Sequence, residues 1–328
     1  MRFAVDAMGG DHAPKQVVLG TVQAARRWPS CGLTLVGDAT RIEAELQAAG
    51  GRPANVDIEP ASQVVGMDEH VKDAVRKKPD SSIQKAVNLV RAGKADGVIS
   101  AGHTGVVVAS SLLTLGTLAG IKRPGIAVPM PTEKGFTTLI DVGANIYCKP
   151  EHLLQYAHMG ALYSRILRGV PSATVGLLSI GEEEGKGNEL VLRATELLSQ
   201  APFPFKGNVE GLDIFKGTVD VIVCEGFVGN TVLKACEGCA ETFIRIAMAE
   251  MVGVLGTAGD GAAKQVFEKI RTRMDYAQYG GAPLLGVNGL TIIGHGRSEA
   301  RAVENAVRVA IELTQARLNQ QILQSLQK

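Results

Sequence analysis

Residues 1–11 read MRFAVDAMGGD, and this stretch decides how the rest of the chain is read. An apolar-rich strand pattern, Phe3 to Ala7, runs into Gly9-Gly10. Asp11 and His12 follow, and Pro14 opens an amphipathic helix. A strand, a glycine turn and a helix N-terminus in that order aim unpaired backbone N–H groups at a common point, which favours an anion. The same junction recurs. Strand patterns at 33–36, 97–100, 136–142, 174–180, 219–224 and 290–293 each run into a glycine-bearing loop and then a helical pattern. Runs such as VIVC, TLIDV and VGLLSI are almost continuously apolar, as strands covered on both faces are. Strands alternating with helices predict a three-layer α/β/α fold on a mostly parallel, doubly wound sheet with right-handed crossovers. In such a sheet the loops after the strands leave by one edge, where ligands bind. Loops rich in Gly, Asn, Ser, His and Lys are expected to converge there.

The chain has 328 residues, 45% of them apolar, which is enough for a large buried core. It is read as a single α/β domain over 1–328. A net charge of +1 gives no field for nucleic acid, and 4% aromatic residues leave little for base stacking, so no nucleic-acid partner is expected. Asp6 and Asp11 interrupt any secretory signal pattern, and no run approaches the roughly 20 apolar residues of a membrane span. Five scattered cysteines read as reduced thiols in a cytoplasmic protein. Cys236-x-x-Cys239 lies in a helical pattern with no second ligand pair nearby and is read as two buried small residues. Neither a G-x-G-x-x-G fingerprint nor a Gly-Lys-Ser/Thr phosphate loop follows a strand, which argues against nicotinamide and ATP chemistry. No cofactor and no metal are expected.

Residues 231–274 read as a projecting helical hairpin. Its first arm is apolar on much of its surface, with Phe243, Ile244, Ile246, Met248 and Met251. A Gly/Ala-rich tip at 256–261 breaks it. The second arm, 262–274, sets Lys264, Lys269, Arg271 and Arg273 against Val266, Phe267 and Ile270. Such a face needs cover, first from a dimer partner and second from weak peripheral contact with a membrane.

Nine blocks spread along the chain carry a specific resemblance: VDAMGGDHAP (5–14), RKKPDSSI (76–83), SAGHTG (100–105), DVGANIYCKPEHL (141–153), LLSIGEEEGKGNEL (177–190), GNVEG (207–211), CEGFVGN (224–230), MDYAQYGGAPLLG (274–286) and HGRS (295–298). Together they resemble the bacterial phosphate acyltransferases, the acyl-acyl-carrier-protein:phosphate transacylases of phospholipid synthesis. The resemblance implies an isocitrate-dehydrogenase-like fold without the dehydrogenase cofactor. It implies transfer of a fatty acyl group from acyl-carrier protein to inorganic phosphate. The acyl phosphate would pass to a membrane glycerol-3-phosphate acyltransferase. It also implies a homodimer, cytoplasmic and peripherally associated with the inner face of the membrane.

The residues fit that chemistry. Phosphate is already nucleophilic near neutral pH, so a site must supply positioning and charge neutralisation beside a thioester carbonyl. A thiol of pKa about 8.5 departs as thiolate with little help, and no Ser-His-Asp triad is needed. His103 (between glycines), Asn145 (as an amide donor to an oxyanion) and Lys186 are the expected catalytic groups. Gly9, Gly10, Lys78, Ser81, Ser82, Gly102, Thr104, Asn188, Asn230 and His295 are expected to bind phosphate or substrate. Bland readings stand beside these: Asp80 or Ser81 and Asn230 as helix caps, Asn145 in an Asx turn, His295 in core hydrogen bonding. Asp6 and Asp11 would repel an anion unless a cation or N–H groups compensate. Glu182–Glu184 are read as solvent-facing or as partners of Lys186. An acidic carrier would favour basic residues near the loops, and Arg76, Lys77, Arg271 and Arg273 are the sequence's candidates. Two other readings share these features: a coenzyme-A-dependent phosphotransacylase, and a non-catalytic adaptor at the membrane surface.

Overall fold

The computed structural model describes residues 1–133, 135–255, 261, 265–270 and 279–326. Its strands are β1 (Arg2–Asp6), β2 (Gly32–Gly37), β3 (Val56–Pro60), β4 (Gly97–Ser100), β5 (Gly125–Thr132), β6 (Gly135–Ile140), β7 (Val175–Leu178), β8 (Phe205–Val209), β9 (Val221–Val223), β10 (Ala282–Leu285) and β11 (Leu290–Ile293). Its helices are α1 (Lys15–Arg27), α2 (Ala39–Ala48), α3 (Val71–Lys77), α4 (Ser82–Arg91), α5 (Thr104–Leu115), α6 (Pro150–Arg168), α7 (Glu189–Leu198), α8 (Asp213–Lys216), α9 (Gly226–Leu255), α10 (Ala300–Gln315) and α11 (Leu318–Ser325).

The strands form an eleven-stranded sheet in the order β3-β2-β1-β4-β11-β10-β5-β6-β9-β7-β8. Side-chain alternation divides each strand between two cores. Phe3 and Val5 pack into one, which also takes Val17, Val22, Tyr156, Leu198, Val307 and Ile322 from α1, α6, α7, α10 and α11. Ala4 and Val98 face the other, with Ile83, Val87, Val106, Ile214 and Leu233 from α4, α5, α8 and α9. The result is the three-layer α/β/α architecture expected.

The sheet is mostly parallel, but it reverses sense at its centre. β10 pairs antiparallel with β11, Pro283 opposite Ile292. It pairs antiparallel with β5, Leu284 opposite Ile126. β5 in turn pairs antiparallel with β6, Ala127 opposite Ile140. Three reversals leave β6, β9, β7 and β8 running against β1, β4 and β11.

Register gives this reversal its consequence. Ile99 stands opposite both Val5 and Ile292. Carrying the β10–β5 register on by one residue sets Pro283 opposite Ala127, and Ile140 pairs with Val223. Val5, Ile99, Ile292, Pro283, Ala127, Ile140 and Val223 therefore share one row. β1, β4 and β11 rise to that row and end just past it; β6 and β9 descend to it from the other side. The carboxyl ends of two staggered half-sheets meet at one level. The expectation of a single edge from which all loops leave is corrected: there are two loop sets, facing opposite ways across β10 and β5.

α9 starts at Gly226, five residues before the expected helix start. Asn230 thus lies inside the helix and does not cap it. The cap is Glu225, whose carboxylate accepts from the N–H groups of Phe227 and Val228. From Asn230 to Met251, Leu233 alone is buried; Phe243 and Ile246 are exposed, and so is Cys239, against the expectation that it is buried. Residues 265–270 are helical, with Phe267 buried and Val266 and Ile270 exposed. The tip at 256–260, Lys264, Arg271, Arg273 and the rest of the expected second arm lie outside the described residues. Among the described residues no helix is long and apolar enough to cross a membrane.

Candidate active site

In each half-sheet one strand leads into a buried aspartate one residue past the shared row: Asp6 after Val5, Asp141 after Ile140. The two acids organise the two loop sets.

Asp6 accepts from Ser100 Oγ at 2.6 Å and from the N–H of Met8 at 3.3 Å, and it also bonds Ser82 and the N–H of Gly9. Ser100 Oγ accepts in turn from the N–H of Gly102 at 3.1 Å. Burial pushes the Asp6 carboxyl up from the ordinary value, against the pull of those donors. This arrangement draws three glycine turns together. A Cβ on Gly9 would lie 2.7 Å from the Gly102 nitrogen, and one on Gly10 (φ +103°) 2.9 Å from the Gly296 carbonyl. The N–H of Asp11 donates to that same carbonyl at 2.8 Å. Only glycine lets the backbones approach this closely.

His103 holds the N-cap position of α5, without a side-chain cap bond. Its Nδ1 is buried and has no hydrogen-bond partner. The backbone N–H groups of Gly10, Thr104 and Gly105 have no protein acceptor among the described residues. Main-chain donors at the N-terminus of a twelve-residue helix, beside a glycine turn, suit an oxyanion or phosphate. Gly9, Gly10, Ser82, Gly102, His103 and Thr104 are thus gathered in one place.

The neighbouring positions divide. Lys78 Nζ is bonded to Glu69 at 2.6 Å and to the Val64 carbonyl at 2.7 Å, so its charge is spent holding the 64–69 loop. That bond leads the causes that lower the Glu69 pKa. Ser81 is buried at the N-cap position of α4 but makes no side-chain cap bond. Asp80 does not cap α4 either; it binds Ser62, whose hydroxyl and N–H bring its pKa down to about 2. His295 Nδ1 accepts from the N–H of Arg297 at 3.1 Å. Burial and then Lys234 hold its pKa below the ordinary imidazole value, while Asp11 and Glu237 oppose them.

The second loop set is filled by its own acid. The Asp141 carboxylate accepts from the N–H groups of Ile126, Gly143, Ala144 and Asn145 at 2.8–3.1 Å. Burial is the largest influence on its pKa and raises it, and those four donors pull the other way. The Asn145 amide nitrogen donates to Pro124 O at 2.5 Å and to the Tyr156 hydroxyl at 2.8 Å. Both N–H bonds of the Asn145 amide are thus engaged within the loop framework. Its carbonyl also accepts from the N–H of Gly226, tying the loop to α9. Asn188 caps α7, accepting from Val191 at 3.0 Å. Lys186 is exposed in the loop after β7, and among the described residues its ammonium has no ion-pair partner. Glu182–Glu184 are exposed to solvent. The structure does not bring Lys186 or Asn188 into contact with the first loop set.

α9 connects the two sets. Asn230 lies against Gly143 of one loop, Lys234 and Glu237 act electrostatically on His295 of the other, and Glu241 pairs with Arg297 at 2.9 Å. Sequence reasoning did not single out Asp141, Ser100, Glu69 or Glu225. The available signal was the parallel between VDAMGG and IDVGAN, a strand closed by aspartate and glycine. Among the described residues no group of three or more metal-ligating side chains occurs.

The fold is shared with a phosphotransacetylase from Streptococcus pyogenes, with a TM-score of 0.61 at 16% identity over 100% of this chain and 94% of that one. A protein of Pelotomaculum thermopropionicum called phosphate acyltransferase is 49% identical over 330 residues, covering 100% of this chain and 95% of its own. A second, from Desulforudis audaxviator, is 49% identical and covers 97% of this chain and 94% of its own. The family model described as fatty acid synthesis protein matches residues 1–321. The protein is an acyltransferase, one that transfers acyl groups to phosphate. The chain belongs to the phosphate acyltransferase family.

Proposed function

We propose that the acyl donor is the thioester of a fatty acyl-carrier protein, and that the acyl phosphate formed serves phospholipid synthesis through a membrane glycerol-3-phosphate acyltransferase. The observation that carries the site assignment is the meeting of the Gly9–Gly10 and Gly102–Gly105 turns, with three unclaimed N–H groups beside the buried His103 Nδ1. The phosphate dianion rests on those main-chain donors, which neutralise charge without screening its nucleophilic oxygen. A phosphate oxygen attacks the thioester carbonyl carbon, the carbon–sulfur bond breaks, and the proton of hydrogen phosphate goes to the departing thiolate. His103 carries that proton in this reading. Lys186 is the cation that the second half-sheet can bring to the dianion. The protein acts as a homodimer, covering part of the exposed face of α9, with weak membrane contact from what remains.

The test is release of free carrier thiol from a fatty acyl-carrier protein, measured with and without orthophosphate and compared with acetyl-coenzyme A. Release that requires phosphate and favours the carrier supports the reading. Equal release without phosphate, or turnover of acetyl-coenzyme A alone, refutes it.

A further inference from the structure

We infer that the acidic carrier docks on a basic, apolar-centred patch beside the second loop set, formed by Lys122, Arg123, Lys149, Ile146, Tyr147 and Phe227. This deepens the reading above and rests on it. Tyr147 is 86% exposed, Phe227 64% and Ile146 57%, an uncommon concentration of bare apolar side chains on the 145–149 loop and the first turn of α9. The loops are not loose. Asn145 Nδ2 binds the Pro124 carbonyl, fixing the Lys122-Arg123 turn against the 145–149 segment. The N–H of Gly226 binds the Asn145 carbonyl, setting Phe227 alongside. The N–H of Lys149 binds His152 Nδ1 at 3.1 Å.

The charges favour one sign. Burial and then Arg123 depress the pKa of His152, and Lys122 and Lys149 act in the same direction. None of the three cations has an ion-pair partner among the described residues, whereas Glu225 is spent on capping α9. Glu151 is the one acid that opposes them at His152. An aromatic centre rimmed by unpaired cations is what a small acidic protein requires: apolar anchors for affinity, charge for encounter and orientation. The position also fits. Phe227 lies in the first turn of α9, which passes Asn230 against Gly143 and carries Lys234 and Glu237 to His295 of the first loop set. Of the docking candidates read from sequence, Lys77 is paired with Asp73, and Arg271 and Arg273 lie outside the described residues.

The experiment compares kcat/KM for a fatty acyl-carrier protein with that for an uncharged N-acetylcysteamine thioester of the same acyl chain. The proteins are the wild type, the double variant Lys122→Glu/Arg123→Glu, and Tyr147→Ala, each checked by thermal unfolding. Each variant is expected to lose about 10-fold or more with the carrier, the charge variant's loss shrinking at high salt, while the small thioester stays within about twofold. Equal losses with both donors, or no loss with the carrier, overturn the inference. So does a shift from dimer to monomer on sedimentation, which would seat a second copy of the chain here. A wild type that turns over the small thioester but never the carrier refutes the proposed function itself, a distinct result.

Discussion

Asp141→Ala is expected to cost about 4 kcal/mol of folding stability, because four backbone N–H groups lose their acceptor and each orphaned donor costs about 1–3 kcal/mol, less where water reaches it. Asp141 and Ile140 are fully buried, so the loss falls in the core, at the row where the half-sheets join. Asp141→Asn keeps one carbonyl oxygen and is expected to recover about half of the loss. Urea unfolding of the three proteins measures this directly. An alanine variant within about 1 kcal/mol of wild type would show that the carboxylate does not organise the second loop set.

The second large effect is on rate. In Gly9→Ala the new Cβ would stand 2.6 Å from Asp6 Oδ2 and 2.7 Å from the Gly102 nitrogen, where ordinary contacts begin at 3.4 Å. The β1 and β4 turns must separate by most of an ångström, and a misplacement of about 1 Å costs about 100-fold in rate. We expect kcat/KM for phosphate to fall by at least that factor. Gly238→Ala on α9 meets nothing within 4 Å and serves as the control. It should keep full activity. Near-normal turnover by Gly9→Ala would remove the interlocked glycine turns from the account.

The sequence made part of this visible and hid the rest for identifiable reasons. β4 and β11 stand where the apolar runs put them, and α7 begins at its Asn188 cap as read. Four strands were not legible. β3 (VDIEP) and β8 (FKGNV) close the two ends of the sheet, and their polar, half-covered residues lack the continuous apolar run of a central strand. β5 (GIAVPMPT) carries two prolines, which argue against a central strand, and β10 has only four residues. β5 and β10 are the two strands that reverse the sheet, so it is mostly parallel as expected, but the single ligand edge fails at its centre. Glycine spacing marked the turns of the site correctly as turns, but residue type could not say which polar groups were already committed. Lys78 and Asn145 have the right chemistry for phosphate and oxyanion, yet their partners Glu69 and Pro124 lie 9 and 21 residues away and bear no motif. Conversely, Asp6 read as an obstacle to an anion, whereas its bonds to Ser82, Ser100 and two N–H groups leave it internally compensated.

The central claim is that phosphate is gripped by main-chain donors of the first loop set. Its most direct test is a crystal structure of the protein with orthophosphate bound. The account predicts the anion within hydrogen-bond distance of the N–H groups of Gly10, Thr104 and Gly105, beside the imidazole of His103. Phosphate found instead among Gly143, Ala144 and Asn145, with Asp141 displaced from their N–H groups, would contradict it.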